Sequence, residues 1–366
     1  MLMNELRLQR LRRHLAEAGL DAVWVGNAQN RRYLSGFSGS AGLLLLTAET
    51  QQLFTDFRYH EQAATEAPLY ELCLYKGAAA KALAEIVCRK GIRRLGFESK
   101  HCTVAAYKEL QALLPVECEL IDTELEPLRF VKDEEELEAI REAVRIADAA
   151  FTHILGYLRP GLEERQVAAE LEQHMRCLGS ERPAFDTIVA SGVRGALPHG
   201  VASEKKLAVG DWITMDFGAV YRGYHSDITR TVCLGPATEQ QKAAYSLVLA
   251  AQKAGVAAIR PGKLGCEVDA VSRDILTKAG YGEYFGHGLG HSLGLAIHEE
   301  PRLSSLNTQQ VLQENMVVTV EPGIYLPGQY GIRIEDTVRV SDAGAVVLTE
   351  SDKELIEIAC KMEDEP

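Results

Sequence analysis

The stretch Leu207-Ala-Val-Gly-Asp-Trp-Ile-Thr-Met-Asp216-Phe-Gly218 recurs at an offset of 105 as Leu312-Gln-Glu-Asn-Met-Val-Val-Thr-Val-Glu321-Pro-Gly323. Leucine, threonine and glycine are kept, and Asp216 faces Glu321. A second match follows at an offset of 108: Ser226-Asp227-Ile-Thr229-Arg-Thr-Val232 lies against Ile334-Glu335-Asp-Thr337-Val-Arg-Val340, so that Asp227 faces Glu335. Each copy predicts a strand ending in a carboxylate and then a second strand carrying another. A period of about 100 residues is far too long for a solenoid. It implies a duplicated α+β half, and two such halves folded face to face about a pseudo-two-fold bring four carboxylates together. Helical patterns at about 134–157 and 163–178 precede the first copy, and others at about 239–258 and 267–279 precede the second.

Outward from this repeat, the charge divides the chain. Of 366 residues, 39 are Lys or Arg and 52 Asp or Glu, a net charge of −13. Residues 1–124 are balanced, so the whole surplus belongs to 125–366. These are the two expected domains. The acidic run Asp133-Glu-Glu-Glu136 at the head of the second predicts a helix start, since acids in a first turn complement the helix dipole. The first segment alternates strands at 22–25, 43–47 and 94–97 with helices ending at Gly19 and spanning about 79–87 and 105–114, an α/β pattern with a mixed sheet. Gly36-Phe-Ser-Gly-Ser40 breaks the G-x-S-x-G pattern at position 40 and reads as a glycine-rich turn between strands. An acidic chain is a poor general binder of nucleic acid. No uncharged apolar run is long enough to span a membrane, and the first twenty residues do not read as a secretory leader. The eight cysteines are scattered without a C-x-x-C pair, as expected of free thiols in the cytoplasm.

Four converging carboxylates repel one another and protonate unless cations hold them ionised. Nearby histidines of ligand grade lie in Gly286-His287-Gly-Leu-Gly290-His291-Ser-Leu-Gly294-Leu-Ala-Ile-His298-Glu-Glu-Pro301. Asp216, Asp227, Glu321 and Glu335 with one neutral imidazole carry a ligand charge that two divalent ions cancel. Such an oxygen-rich set favours Mn²⁺ or Co²⁺ over a thiolate zinc site. Two ions and a shared water make amide hydrolysis the natural reaction class. The glycines around His287 and His291 exclude a zincin-type helix and place backbone close to the site, and H-E-x-x-H fails at His298, where Arg302 stands. His199, in Leu197-Pro198-His199-Gly200, reads either as a turn residue or as part of the site. The other histidines, His225 among them, lack a supporting pattern and read as structural.

At these residues the chain resembles the pita-bread metallopeptidases, specifically the Xaa-Pro peptidases of the prolidase and aminopeptidase P type. The motifs are Met215-Asp216-Phe-Gly, His225-Ser226-Asp227-Ile-Thr-Arg-Thr, His287–Pro301, Val320-Glu321-Pro-Gly-Ile-Tyr325 and Gly331-Ile-Arg333-Ile-Glu335-Asp336. The resemblance covers essentially the whole chain: a creatinase-like α/β N-terminal domain, then an α+β pita-bread catalytic domain with internal duplication. It implies that Asp216 chelates one ion, that Asp227 and Glu335 bridge both, and that His291 and Glu321 complete the second. Glu321 would also orient or deprotonate the attacking water. His199, His287 and His298 are similar to family histidines that hold substrate and stabilise the tetrahedral intermediate, while Tyr325 and Arg333 support the site through hydrogen bonds. The implied metals are two Mn²⁺ or Co²⁺, with Zn²⁺ a further option; the implied substrate is a proline-containing peptide and the implied assembly a homodimer. An X-Pro bond has no N–H, so peptidases that need that donor bind it poorly. Two alternatives share the fold: a methionine or broad-specificity aminopeptidase, and a non-catalytic peptide- or protein-binding module. The retained ligand set argues against the module. No single residue distinguishes dipeptides from longer substrates.

Overall fold

A computed structural model describes residues 3–360, which fall into two units divided between Arg129 and Phe130. In the first, strands β1 (Ala22–Val25), β2 (Leu43–Thr47), β3 (Gln51–Thr55), β4 (Glu71–Leu74), β5 (Arg94–Phe97) and β6 (Glu119–Asp122) form one sheet in the order β4-β3-β2-β1-β5-β6. β1 is central because Ala22, Val23 and Val25 are all buried. It runs antiparallel to β2 and parallel to β5, so the sheet is mixed. Helices α1 (Met3–Ala18), α2 (Ala28–Ser35), α3 (His60–Glu66), α4 (Ala79–Lys90) and α5 (Val104–Leu113) accompany it. Leu83 and Val87 of α4 and Leu110 of α5 join Leu43, Leu45, Phe54 and Leu95 in its core.

Two features of this unit differ from the sequence expectation. Helix α2 carries no clear apolar stripe and is fixed instead by polar groups. The buried Glu98 carboxylate accepts hydrogen bonds from Gly26 N (2.8 Å), Asn27 N (2.9 Å) and Asn30 Nδ2 (2.6 Å), and Asn27 caps the helix. The glycine-rich stretch 36–40 therefore joins a helix to a strand, not two strands. Gly36 ends α2 in the left-handed region at φ 82°, a conformation that favours glycine. The unit also extends past 124, because Leu125 is buried and Tyr33 Oη donates to Leu128 O at 2.7 Å.

The second unit is built twice from a helix pair followed by a sheet. The first half contains α6 (Glu134–Tyr157), α7 (Glu164–Cys177), β7 (Ile188–Ser191), β8 (Trp212–Phe217), the short ladder β9 (Val220–Tyr221) and β10 (Tyr224–His225), and β11 (Ile228–Leu234). α6 begins at Asp133, whose carboxylate and Glu136 form a reciprocal capping box. The second half contains α8 (Glu239–Ala258), α9 (Gly265–Lys278), β12 (Gly290–Ser292), β13 (Glu299–Leu303), β14 (Val317–Val320), the hairpin β15 (Gly323–Leu326) and β16 (Tyr330–Arg333), β17 (Asp336–Ser341) and β18 (Gly344–Val347). With β19 (Glu357–Ile358), the two main sheets are ordered β19-β11-β8-β7 and β13-β12-β14-β17-β18.

Equivalent hydrogen bonds mark the duplication. Gly161 N donates to Leu207 O at 2.9 Å and Gly262 N to Leu312 O at 2.8 Å; Leu207 N donates to Leu162 O and Leu312 N to Lys263 O, both at 2.8 Å. These bonds arise from Arg159-Pro160-Gly161 and Arg260-Pro261-Gly262. This third match, at an offset of 101, carries the repeat back into the helix pairs. The unit buries two apolar clusters, one in the first half and one mainly in the second, which Trp212 of β8 and Cys233 of β11 also join. Phe151, Leu171, Ile213, Phe217 and Val232 belong to one; Val248, Leu276, Val318, Ile334 and Val338 belong to the other.

The hairpin between β8 and β11 depends on Gly218, since a Cβ there would stand 1.9 Å from Ser226 O. Gly218→Ala is expected to cost about 2 kcal/mol by overpacking, read as a lower midpoint in urea unfolding. An unchanged midpoint would mean that the Ser226 backbone yields without cost.

Candidate metal centre

Register brings the four repeat carboxylates to one place. In the first half Asp216 pairs with Thr229 across β8 and β11, so Asp227 lies just beyond the start of β11. In the second, Val320 pairs with Asp336 across β14 and β17, which leaves Glu321 and Glu335 as neighbours at the same ladder end. Asp216, Asp227 and Glu335 each present a carboxylate oxygen within 4.8 Å of the others. His291, on β12, places Nε2 3.5 Å from Asp227 Oδ2 and 3.6 Å from Glu321 Oε1. The halves are stitched together across the repeat. Thr229 Oγ1 donates to Glu335 Oε2 at 2.7 Å, Thr337 Oγ1 to Asp227 O at 2.8 Å, and Glu335 N to Thr229 O at 3.1 Å.

The arrangement is incomplete without a cation. Asp216 Oδ1, Asp227 Oδ1 and Glu335 Oε1 are buried and accept no hydrogen bond. Burial, reinforced by Asp216, pushes the Asp227 carboxyl well above the usual range. Burial together with Asp227 and Glu321 does the same to Glu335. Glu321 rises from 4.5 to about 7, with burial the largest cause and His291 and Arg333 opposing it. Burial lowers the pKa of His291. Its Nδ1 lies 3.0 Å from Ser292 O, and a carbonyl can only accept, so Nδ1 carries the proton and the Nε2 lone pair faces two carboxylates. Lone pairs converging in a buried space need a positive ion between them. The donor set of four carboxylates and one neutral imidazole fits divalent metal.

Arg333 organises the other wall. Its Nη2 donates to Asp216 Oδ2 at 2.6 Å, Nε to Thr229 Oγ1 at 3.0 Å, and Nη1 to Tyr325 Oη at 2.8 Å and Pro198 O at 3.3 Å. Burial works against its charge, but Tyr325, Asp216 and Glu321 outweigh that and hold it protonated. The Tyr325 hydroxyl, raised to about 12 chiefly by burial, donates in turn to His287 Nε2 at 2.8 Å. His287 Nδ1 donates to Gly288 O at 2.7 Å, so both of its nitrogens are engaged. The His298 ring stands edge-on to His291 at 4.5 Å, and burial followed by His291 lowers its pKa to about 4.

All ten residues singled out from the sequence line one cavity of about 930 Å³, His199 included. Phe185, Ile188, Tyr284 and Ile297 give it an apolar wall, and Arg302 lines it as well. Several contributors carried no sequence argument. Thr319 accepts from His291 N at 3.0 Å and donates to Glu321 Oε1 at 3.4 Å. Thr229 and Thr337 tie the halves together. Both pairs of repeat threonines were visible as matches but had no assigned role. His225, read as structural, clamps Gly294 O through its backbone N (2.9 Å) and Nδ1 (3.0 Å) and so holds the loop leading to His298. Gly290 lets β12 approach β14, since a Cβ there would stand 2.0 Å from Thr319 O.

Comparison with known proteins agrees with this geometry. The family profile "Metallopeptidase family M24" matches residues 138–342, and "Creatinase/Prolidase N-terminal domain" matches residues 7–131. An Xaa-Pro dipeptidase of Pyrococcus horikoshii is 40% identical over 97% of this chain and 99% of its own length. Among solved structures, an Xaa-Pro dipeptidase from Bacillus anthracis superposes with TM-score 0.93 at 46% identity, covering 96% of this chain and 99% of that one. An X-Pro aminopeptidase from Thermotoga maritima superposes with TM-score 0.89 at 38% identity and the same coverage.

The titration pattern gives the metal-free protein a distinctive pH response. Carboxylates whose folded pKa is raised stabilise the fold at low pH, and that stability is lost as pH rises from the unfolded value through the folded one. Histidines with lowered pKa act oppositely, adding stability between about 4 and their ordinary 6.5. Below 6.5 the two sets offset each other; above it only Asp227, Glu321 and Glu335 contribute. The melting temperature of chelated protein should therefore fall as pH rises from about 6.5 to 8, and added Mn²⁺ should abolish the fall. A chelated protein with a flat profile across that window would contradict the assignment.

Proposed function

Because the chain belongs to metallopeptidase family M24 and carries a Creatinase/Prolidase N-terminal domain, we propose that it is a metal-dependent peptidase cleaving the bond between an N-terminal residue and proline. The observation that carries the reading is the set of three buried, donor-less carboxylate oxygens facing a neutral imidazole. Relatives of about the same length named as Xaa-Pro dipeptidases supply the substrate class. In this reading Asp216, Asp227, Glu335, His291 and Glu321 would together hold two divalent ions, with Asp227 and Glu335, between the other ligands, the ones that would be shared. Mn²⁺ or Co²⁺ suits the oxygen-rich set best, and Zn²⁺ is also accommodated. Bound ions supply an activated water at neutral pH and polarise the scissile carbonyl.

The chain's own groups do the rest. Glu321, lining the cavity beside His291, is placed to take a proton from water and return it to the departing proline nitrogen. His298 stays neutral near pH 7 and, with His199, serves as a donor to the developing oxyanion. His287 has no N–H to spare and is assigned to holding the Tyr325 hydroxyl. The apolar wall of Phe185, Ile188, Tyr284 and Ile297 offers a packing surface for a pyrrolidine ring. Two arginines line the cavity. Arg333 is committed to Asp216, Thr229 and Tyr325, whereas among the described residues Arg302 has only Glu300, at 3.8 Å, as an ion-pair partner. Arg302 is therefore our candidate for a free carboxylate beyond proline, which favours dipeptides over longer peptides. The eight free thiols support a reducing cytoplasm. A homodimer is proposed through the charge-balanced first unit, to be checked by sedimentation.

Exhaustive chelation should abolish hydrolysis of Ala-Pro, and Mn²⁺ or Co²⁺ should restore it. Retained activity would overturn the metal reading, and cleavage of Met-Ala at a comparable rate would favour the broad aminopeptidase. Asp227→Asn should lose most bound metal by elemental analysis. Arg302→Ala should raise KM for Ala-Pro about tenfold, the worth of one charged hydrogen bond, with little change for Ala-Pro-Ala. Equal effects on both would remove Arg302 from carboxylate recognition.

A further inference from the structure

Two residues in the quoted motifs, Arg230 and Asp336, take no part in the cavity. They lie next to Thr229 and Glu335 on β11 and β17, and alternation along a strand turns them to the opposite face. Both are buried, with side chains 1% and 0% exposed. Arg230 uses all five guanidinium N–H groups. Nε donates to Asp352 O at 3.0 Å, Nη1 to Thr229 O at 3.0 Å and to Glu335 O, and Nη2 to Asp336 Oδ1 at 2.9 Å and Ser351 O at 2.8 Å. Asp336 is equally saturated, accepting also from Thr349 Oγ1 and Gln252 Nε2, both at 2.8 Å, and from Lys353 Nζ.

One guanidinium thus grips the peptide carbonyls of both residues that set the inter-half contact at the site, Thr229 from one half and Glu335 from the other. The duplication does not require it. At the offset of 108, Arg230 corresponds to Val338 and Asp336 to Ile228, both buried and apolar. Apolar packing therefore suffices at the equivalent positions, and buried ion pairs are poor stabilisers compared with apolar replacements. The ionic version occurs once, directly behind Glu335. Resting on the metal-centre reading above, we infer that the Arg230–Asp336 pair is a positioning device that fixes Glu335 against Asp227 and so sets the affinity for the metal pair. It touches neither metal nor substrate. It acts by holding a ligand's backbone, as outer partners of metal ligands do.

The test is a Mn²⁺ titration of metal-free full-length protein by calorimetry and by equilibrium dialysis, for wild type, Asp336→Asn and Arg230→Lys. Circular dichroism and melting of the metal-free forms run alongside. Arg230→Lys keeps the charge pair but cannot span five acceptors, so it serves if Asp336→Asn fails to fold. The expected result is a half-saturating Mn²⁺ concentration raised at least about tenfold, the usual effect of losing an outer partner. Near-wild-type kcat on Ala-Pro should return at saturating Mn²⁺. A purely structural role would lower the metal-free melting temperature and leave the titration midpoint unmoved, which overturns the inference while wild type still binds two ions. A wild type that binds no Mn²⁺ overturns the metal-centre reading itself, and the positioning role with it.

Discussion

Like charges crowded into a buried space are the constraint on which the catalytic unit turns. Asp216, Asp227, Glu321 and Glu335 meet where water is scarce, and burial, reinforced by their mutual repulsion, drives Asp227 and Glu335 far above their ordinary pKa values. A fold can tolerate this by protonating the acids, by pairing them with fixed cations, or by reserving the space for ions. Arg333 answers for only part of the charge, through one oxygen of Asp216. The oxygens of Asp216, Asp227 and Glu335 that lack donors point to the third solution. The surrounding hydrogen bonds keep the carboxylates from relaxing apart: Thr229 holds the side chain of Glu335, and Thr337 holds the backbone of Asp227.

Rigidity around the cavity comes from polar networks laid on apolar layers. Trp212 and Cys233 of the first half join the apolar cluster of the second at the ends of β8 and β11 remote from Asp216 and Asp227, so apolar packing there leaves the distance between the halves at the site to other contacts. That distance is set by threonine hydroxyls and arginine forks, whose directional bonds specify position more sharply than apolar contact. Arg333 works on the cavity side and Arg230 behind it. Buried charge is expensive, and the two arginines offset that cost with five acceptors at Arg230 and four at Arg333.

Legibility from sequence followed the strength of local patterns. The repeat carboxylates and the strands bearing them were visible because duplication repeats both the hydrophobic pattern and the spacing. The long helices α6 and α8 were visible for their periodicity, and Asp133 for its capping signature. Helix α2 was not, because Glu98, distant in the chain, supplies what an apolar stripe would have supplied. The roles of His225 and Arg230 were hidden for a similar reason. Each acts on the backbone carbonyl of a residue far away, Gly294 or Glu335, and a carbonyl leaves no trace in residue identity. The Arg-Pro-Gly match at 159–161 and 260–262 was legible and marks how far the duplication reaches.

Duplication also accounts for what is unequal in the centre. In the first half Thr214 pairs with Ala190 of β7. In the second its counterpart Thr319 lies against His291 of β12. One half therefore offers an imidazole where the other offers a methyl group. In the proposed centre, one ion would lie among oxygens and the other would gain a nitrogen ligand, although the carboxylates come from equivalent strands. Softer nitrogen ligation changes both affinity and Lewis acidity, so the two ions need not be interchangeable. The ionic pair Arg230–Asp336 breaks the symmetry in the same region, behind Glu335 but not behind Asp227. A two-fold scaffold is an economical way to gather four carboxylates. Hydrolysis needs a water that attacks the carbonyl carbon and a proton delivered to the leaving nitrogen, which is a directional task. The departures from symmetry at Ala190 and His291, and at Val338 and Arg230, are where a symmetric fold acquires that direction.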